Sequence, residues 1–378
     1  MKIVIAFDSF KGCMSSLEIV DICEAAIAEI DSSIQTISLI IADGGEGTLD
    51  AVVKGADGQT IVNEFTNLEG IKCNSCIGIV DDICILESAQ TVGLPYSNKT
   101  NVSLKTSRGL GEQIKFGIKK GFSRFAIGLG GSGTNDCGLG MLMELGFKFF
   151  DGNGNELPMD VKEFSNLAEI DDSSVNASIR ECKFTILSDV SSPLYGAEGA
   201  TYTYGLQKGA TIDELPILDG AIQKISAVAS KHYGKDISSS PGAGAAGGLG
   251  YAFSQFLDAE AVPGIKYILD VINAEDKIKD CDFIFTGEGK SDAQTACGKV
   301  AVGIAKIAKK HNKPVLLISG ALDDDAYSLH KHGIDFMTSI QDYPISLEDV
   351  MQKDVASKLL SNRVKEIIRL IKTISDEC

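Results

Sequence analysis

The chain has 378 residues, 44% of them hydrophobic, and a formal net charge of −17. This length predicts two domains. No stretch approaches the roughly 20 apolar residues that span a bilayer, and the apolar run at residues 3–7 is too short for a signal peptide. The acidic excess repels nucleic acid and anionic membranes, which excludes both as general partners. We therefore expect a soluble cytoplasmic protein, either a monomer or a homodimer.

The ten cysteines are scattered along the chain, and a chain of this length needs no disulfides to hold a core. Cys73 and Cys76 form a single CxxC motif, and the four histidines lie far from it in sequence. Without a second pair of ligands, free thiols are a better interpretation than a zinc site. We expect reduced cysteines throughout.

The chain begins with a βα unit. Residues 3–6 predict a buried strand, and Ser15 and Glu18 form a capping box at the start of a helix. Residues 36–42 predict a second strand, which ends in a loop too rich in glycine to be helical. Between residues 59 and 89, β-forming residues alternate with turn signals, which predicts antiparallel hairpins.

The middle of the chain becomes mostly helical, and its last third alternates strands and helices again. The elements predicted in the middle are a helix at 110–120, strands at 124–129 and 183–187, and helices at 215–233 and 247–257. Those predicted in the last third are strands at 282–285, 315–318 and 336–340, a helix at 300–310 and a long amphipathic C-terminal helix.

These elements predict an α/β protein with two domains. The first two strands cannot close a sheet alone, so both termini are expected to build one flavodoxin-like parallel sheet, from residues 1–50 and 265–378. Residues 51–264 are expected to form an inserted mixed α/β domain. We expect the active site in the cleft between the two domains.

Five polar, glycine-rich loops are predicted to follow strands, where open α/β sheets bind ligands. Glycine lets backbone N–H groups approach a phosphate closely. The tips of these loops also carry lysines and carboxylates, a mixture that is typical of phosphoryl transfer. These charged residues are Lys11, Asp43, Glu46, Asp136, Asp189, Glu288 and Asp292.

Two GxGxxG patterns begin at Gly128 and Gly242. Neither has the sequence context of a dinucleotide-binding turn, and the first leads into Thr134-Asn135-Asp136, which suits a phosphate and its Mg²⁺. The P-loop pattern is absent, because Ile284 stands where it requires glycine. No GxSxG motif of a hydrolase occurs either.

Six segments, in this order and spread over nearly the whole chain, resemble the type 1 glycerate kinase family. They are Asp8-Ser-Phe-Lys-Gly12, Ala42-Asp-Gly-Gly-Glu-Gly-Thr48, Ile127-Gly-Leu-Gly-Gly-Ser-Gly-Thr-Asn-Asp136, Gln207-Lys-Gly209, Gly242-Ala-Gly-Ala-Ala-Gly-Gly-Leu-Gly250 and Thr286-Gly-Glu-Gly289. The resemblance implies a flavodoxin-like domain and an inserted domain likened to restriction endonucleases. It further implies transfer of the γ-phosphoryl group of ATP to D-glycerate with Mg²⁺, usually to give 2-phosphoglycerate.

Loop chemistry and motif positions together give a predicted site. Asp292 is favoured over Asp189 as the base that takes the glycerate hydroxyl proton, and the alternative is that Asp292 only caps the next helix. Lys11 is a further catalytic candidate, and Asp189 and Asp136 are the predicted metal ligands. The residues predicted to bind substrate or phosphate are Asp8, Ser9, Lys11, Asp43, Glu46, Gly130, Gly131, Ser132, Thr134, Asn135, Lys208, Glu288 and Lys290.

Some positions depart from the family pattern. Cys13 stands at a usual Ser, Gly133 at a usual Ala, Cys137 at a usual Gly, Ser192 at a usual Asn, and Lys290-Ser291 at a usual Arg-Leu. Lysine lacks the bidentate fork of arginine, so a contact at Lys290 is expected to be looser. These departures affect the expected specificity for the acceptor and leave the expected kinase activity unchanged. A kinase for a related small hydroxy acid, a nicotinamide-dependent oxidoreductase and a non-catalytic small-acid sensor are the alternative functions.

Overall fold

The computed structural model describes residues 1–42, 44–296 and 299–376. The strands are β1 Lys2–Phe7, β2 Gln35–Ser38, β3 Gln59–Thr66, β4 Lys72–Val80, β5 Ile83–Glu87, β6 Arg124–Gly128, β7 Lys148–Asp151, β8 Leu167–Asp171, β9 Lys183–Leu187, β10 Glu260–Val262, β11 Phe283–Gly287, β12 Lys290–Ser291, β13 Val315–Ser319, β14 Ala321–Leu322 and β15 Phe336–Ser339. The helices are α1 Ser16–Ile30, α2 Thr48–Gly55, α3 Ala89–Val92, α4 Arg108–Lys119, α5 Leu139–Leu145, α6 Ala177–Arg180, α7 Ala200–Lys208, α8 Leu215–Tyr233, α9 Ala245–Phe256, α10 Gly264–Val271, α11 Ala274–Ile278, α12 Val300–Lys310, α13 Leu347–Val350 and α14 Lys353–Asp376.

The chain divides into two compact units, each with its own large sheet. Unit 1 comprises residues 1–43, 50–56 and 265–378, and unit 2 comprises residues 44–49 and 57–264. The predicted domain boundaries near 50 and 265 stay predictions. Among the described residues, no helix combines the length and the apolar character that a membrane span requires.

Unit 1 is built on a five-stranded parallel sheet in the order β15-β13-β11-β1-β2. Strand β1 is an apolar run with Ile3 opposite Phe283 of β11, and both of its faces are covered, as in parallel sheets generally. Helices α1 and α14 pack together and contribute to this core. The predicted parallel sheet from both termini is confirmed.

Helix α1 begins where the capping box predicts. The Ser15 hydroxyl accepts a hydrogen bond from the Glu18 N–H at 3.3 Å, and Glu18 accepts one from the Ser15 N–H at 2.8 Å. Two N–H groups that the helix leaves without partners are thereby satisfied. The start of the first βα crossover is therefore fixed by local sequence.

Unit 2 is built on a six-stranded mixed sheet in the order β10-β9-β6-β5-β4-β3. Strands β3, β4 and β5 are antiparallel neighbours, which confirms the predicted hairpins, and β5, β6, β9 and β10 are parallel. An aromatic cluster that includes Phe125, Phe184 and Phe253 packs within the hydrophobic core of this unit. The β7–β8 hairpin was not predicted, because both of its strands are short and flanked by polar turns.

Two predicted elements differ from the structure. The second strand ends at Ser38 instead of residue 42, although Leu39 and Ile41 are buried, because burial alone does not keep a chain in a hydrogen-bonded ladder. The helix predicted at 247–257 corresponds to α9, Ala245–Phe256, whose first turn contains left-handed backbone at residues 246–248. This kink contributes to the site described next.

Candidate functional site

A pocket of about 380 Å³ in unit 1 lies beyond the carboxyl ends of β1, β11, β13 and β15. Each of these strands is followed directly by residues that line the pocket, as expected for a parallel sheet. The pocket brings together six residues predicted from the loops after β1 and β11: Asp8, Ser9, Lys11, Glu288, Lys290 and Asp292.

Glu288 is the anchor of the pocket's charged side. Its carboxylate is 6% exposed and accepts hydrogen bonds from the hydroxyls of Ser291 at 3.0 Å and Thr295 at 2.6 Å. The ammonium group of Lys299 lies 2.9 Å from the other carboxylate oxygen. Glu288 therefore holds the segment after β11 in shape and places Lys299 at the pocket.

Asp292 lines the same pocket and also caps a short helix. Its Oδ1 accepts a hydrogen bond from the Gln294 N–H at 2.8 Å, at the start of the 3₁₀ helix Ala293–Ala296. The predicted base and the capping alternative are thus compatible, because a carboxylate offers two oxygens.

The lysines of the pocket have acidic neighbours. Lys290 forms an ion pair with Asp323 at 2.7 Å, which raises the pKa of the lysine, and both side chains are more than half exposed. Lys11 is an exposed residue of the β1–α1 loop. Asp8 is buried and accepts a hydrogen bond from the Ser9 N–H at 2.7 Å. The pocket is therefore lined by both lysines and carboxylates. Lysines can bind an anionic ligand, and a carboxylate can accept a proton from it.

In unit 2, two glycine-rich loops pack backbone against backbone. The Gly130 N–H donates to the Gly44 carbonyl at 3.2 Å, and a Cβ on Gly130 would collide with the backbone of Gly45. Glu46 follows on the second loop and is exposed. Gly131 has φ +75°, a conformation that favours glycine. Asp43, which was predicted to bind substrate or phosphate, lies outside the described residues.

The second GxGxxG segment packs on the first. Gly247 has φ +70°, and a Cβ there would collide with the Thr134 carbonyl oxygen. Its glycines therefore permit close packing around Thr134 and Asn135, which explains this pattern without a dinucleotide.

Lys208, the last residue of α7, is buried beneath the loop 128–136. Its ammonium donates to the Ser132 hydroxyl at 3.1 Å and to the Thr134 carbonyl at 2.7 Å. Burial lowers the pKa of Lys208 to about 7, although nearby Asp136 acts in the opposite direction. The loop 128–136, which is predicted to bind phosphate, is thus hydrogen-bonded to a buried amine.

Two polar atoms of this loop are buried without a hydrogen-bond partner among the described residues. They are the hydroxyl oxygen of Thr134 and the amide oxygen of Asn135, whose amide nitrogen donates to Thr201 at 3.0 Å. Buried polar atoms are nearly always hydrogen-bonded in folded proteins. Such exceptions at a predicted site indicate groups that a ligand or water satisfies.

Asp136 is fully buried, and its carboxylate accepts four hydrogen bonds. The N–H and hydroxyl of Ser107 donate at 2.8 and 2.7 Å, and the N–H groups of Gly140 and Gly138 donate at 3.1 and 3.2 Å. Burial raises the pKa of this carboxyl group, and the hydrogen bonds oppose that shift. These four hydrogen bonds give Asp136 a structural role, and its predicted role as a metal ligand stays a prediction.

Asp189 lies in an exposed loop directly after β9. Within residues 1–42, 44–296 and 299–376, no three His, Cys, Asp or Glu side chains form a group that could hold a metal ion.

Glu87, the last residue of β5, was not among the predicted site residues. The side chain is 1% exposed and accepts hydrogen bonds from the N–H groups of Gly47 at 3.2 Å and Leu49 at 3.0 Å. It therefore fixes the glycine-rich loop 44–47 and the start of α2. The available signal was a carboxylate that ends an otherwise apolar buried strand.

The comparisons with known proteins agree with this architecture. The model of the glycerate kinase family matches residues 3–372. The chain is 39% identical to a glycerate 2-kinase of Escherichia coli K12, with 90% of each chain covered, and 36% identical to a glycerate kinase of Bacillus subtilis 168, with 99% of each covered. It is also similar to the crystal structure of a candidate glycerate kinase 2 from Salmonella typhimurium LT2, with 34% identity, a TM-score of 0.84 and 99% of each chain covered. The chain therefore belongs to the glycerate kinase family and is a kinase.

Proposed function

We propose that the chain transfers the γ-phosphoryl group of ATP to D-glycerate, in the cytoplasm and with Mg²⁺, to give 2-phosphoglycerate and ADP. The observation that carries the proposal is the charged pocket of unit 1, which is lined by Lys11, Lys299 and Asp292 although the chain has a net charge of −17. An acidic protein that binds anionic substrates needs such local positive charge. The name of the Escherichia coli relative, a glycerate 2-kinase, supports the product.

In the proposed reaction, a glycerate hydroxyl oxygen forms a bond to the γ-phosphorus. The bond from that phosphorus to the oxygen bridging it to the β-phosphate breaks, and ADP leaves with the bond's electron pair. The hydroxyl proton passes to the carboxylate of Asp292, and Lys11 offsets the negative charge on the transferred group. These residues mainly position the reactants and stabilise charge, which is how enzymes accelerate phosphoryl transfer.

The residues present fit a magnesium ion that comes with the nucleotide. Asp189 is exposed at the end of a strand, whereas Asp136 is already saturated by protein donors. We therefore assign Asp189 to the ion and assign Asp136 to holding the loop 128–136. When bound, Mg²⁺ supplies positive charge to the phosphate oxygens.

The loop 128–136 is assigned to a phosphate or carboxylate group of the substrates. Its support is the pair of buried, unpartnered atoms in Thr134 and Asn135 and the buried amine of Lys208 among the described residues. A substrate hydroxyl could donate to either oxygen, and an anion would be attracted by the protonated lysine.

An ADP-release assay with D-glycerate, L-glycerate and glycolate tests this function. We expect turnover with D-glycerate, its loss when EDTA removes the divalent ion, and 2-phosphoglycerate in the phosphorus NMR spectrum of the product. Formation of 3-phosphoglycerate would show that the 3-hydroxyl of glycerate, and not the proposed 2-hydroxyl, is phosphorylated. Faster turnover of glycolate than of D-glycerate would overturn the assigned acceptor, and ADP release without a phosphorylated acid would overturn both.

A further inference from the structure

The pocket of unit 1 has an apolar half that the proposed chemistry does not use. The charged half contains Lys11, Glu288 and Lys299. The apolar half is lined by residues of β14, of the segment after β15, of α13, of the α13–α14 connection and of α14: Ala321, Ile340, Leu347, Val350, Met351 and Ala356. A pocket of about 380 Å³ is within the range of nucleotide-sized ligand sites.

Part of this apolar lining faces solvent. Leu347 is 73% exposed and Met351 is 40% exposed, whereas Ile340 and Val350 are buried. A single exposed leucine is ordinary in a folded protein. Exposed apolar side chains that line a concave pocket together with buried ones are instead typical of a surface that a flat apolar ligand group covers.

The two halves are continuous. Gly12 follows Lys11 in the β1–α1 loop, and the methyl carbon of Met351 lies 3.2 Å from the position that a Cβ on Gly12 would take. In addition, β12 pairs with β14, which places Lys290 beside Ala321. One elongated ligand can therefore contact the apolar half with one end and the lysines with the other.

The apolar lining favours a ligand group with a large apolar surface. Glycerate is a three-carbon polyhydroxy acid with almost no apolar surface, so it gains little from these side chains. A purine base has two broad apolar faces and a polar edge. Gln341 offers a fixed polar group for such an edge, because its side-chain amide donates to the Gly320 carbonyl at 3.1 Å.

We propose that the apolar half of this pocket binds the base of a purine nucleoside triphosphate, with its phosphates directed to Lys11, Lys290 and Lys299. The assignment rests on the proposed function, since it names where that reaction's phosphoryl donor is held. Leu347 and Met351 cover the base, and Ala321 leaves the space that the base fills.

Steady-state kinetics of three variants test the assignment. Ala321→Leu fills the apolar half, and Leu347→Ala removes an exposed side chain that covers the base. Leu370→Ala is the matched control, because Leu370 is 58% exposed on α14 of the same unit and does not line the pocket. We expect the first two variants to raise KM for ATP by at least about fivefold, as for the loss of a well-packed apolar contact.

The KM for D-glycerate in these variants should stay within about twofold of the wild-type value, because uniform loss of donor binding does not alter acceptor binding. An unchanged KM for ATP would overturn the assignment, and so would an equal rise in both constants. If Ala321→Leu fails to fold, Leu347→Ala decides alone, since its side chain contributes little to the core.

A footprint of Cys13 gives a readout that does not depend on turnover. Cys13 lines the pocket and is half-buried, and Cys73 of unit 2 is a half-buried thiol for reference. We expect MgADP to slow alkylation of Cys13 but not of Cys73, as measured by mass spectrometry of the labelled peptides. Inorganic tripolyphosphate should protect less, because it lacks a base.

The footprint separates failure of this inference from failure of the proposed function. If the wild-type protein releases no ADP with any acceptor, protection of Cys13 by MgADP still supports the base subsite. If turnover is normal but MgADP leaves Cys13 unprotected, or tripolyphosphate protects it equally, the function stands and the base subsite is wrong.

Discussion

Asp292 and Asp189 are acidic residues of polar loops that follow strands, and their surroundings differ. Asp292 lines the pocket of unit 1 and accepts a hydrogen bond from the Gln294 N–H. Asp189 is exposed after β9 of unit 2. A base must reach the substrate hydroxyl, whereas a carboxylate that shares Mg²⁺ with phosphates can lie in solvent before the ligand binds.

We predict that Asp292→Asn lowers kcat at least about 100-fold, as is typical for the loss of a general base. Its Tm should hardly change, because the asparagine oxygen still accepts the hydrogen bond from Gln294. Asp325→Asn is the matched control, since Asp325 accepts a hydrogen bond from the Ala293 N–H at the same short helix and does not line the pocket. A mild effect of Asp292→Asn together with a severe effect of Asp189→Asn would exchange the two roles.

Lys208 predicts a pH dependence of stability. Its pKa falls from 10.5 to about 7 on folding because of burial. Between these values the unfolded chain binds a proton that the folded protein lacks, so the free energy of unfolding gains up to about 1.4 kcal/mol per pH unit from this residue. Below pH 7 the contribution is constant and unfavourable.

The test is to compare wild type with Lys208→Met by urea unfolding at several pH values. The wild-type free energy of unfolding should rise relative to that of the variant between about pH 7 and pH 9. Lys306→Met, at an exposed lysine, should show no such difference in slope. Parallel curves for wild type and Lys208→Met would contradict the assigned burial shift.

At the scale of elements, the loop 128–136 depends on its neighbours for its shape. Glu87 fixes the loop 44–47, that loop packs on Gly130, and Gly247 packs on Thr134. The side chain of Lys208, at the end of α7, also donates hydrogen bonds to Ser132 and Thr134 of the loop. The loop is therefore held both by a side chain and by close backbone contacts that glycine permits.

We predict that Gly131→Ala lowers kcat/KM at least about tenfold, because a small displacement of substrate-binding groups is costly in catalysis. Gly154→Ala is the matched control. Gly131 and Gly154 have φ +75° and +82°, and Gly154 has open space around it. Both variants should lose about 1 kcal/mol of stability from left-handed backbone. Equal activity in the two folded variants would mean that the loop is only a turn.

At the scale of the whole molecule, the described cysteines form no disulfides. Eight of the ten cysteines lie in the described residues, and none of these eight is joined to another in a disulfide. Burial raises the pKa of several of their thiols, among them Cys84 to about 12. The fully buried thiols, such as Cys84, are therefore poor nucleophiles and poor partners for disulfide exchange.

We predict that the Tm of the protein is the same with and without a thiol reductant. A disulfide contributes about 2 to 4 kcal/mol, which corresponds to a shift of several degrees. Thermal unfolding monitored by circular dichroism, with and without reductant at one pH, is the measurement. A fall of several degrees on reduction would show that a structural disulfide exists.

Features that depend on neighbouring residues were predictable from the residue pattern. Apolar runs gave the strands of the unit 1 sheet, and the Ser15 capping box gave the start of α1. Strand ends followed by polar loops gave the residues of the unit 1 pocket, including Lys11 and Asp292. In a parallel sheet, strand ends at one edge meet, so a local pattern is enough.

The surroundings of a group whose partners are distant in sequence become visible in the folded chain alone. The sequence pattern does not show that Ser107, 29 residues away, donates hydrogen bonds to the buried carboxylate of Asp136. Lys208 has a lowered pKa because packing around α7 excludes water, and Glu87 clamps a loop 40 residues before it. Burial and hydrogen-bond partners depend on which segments the fold brings into contact, and no local pattern of residue types carries that information.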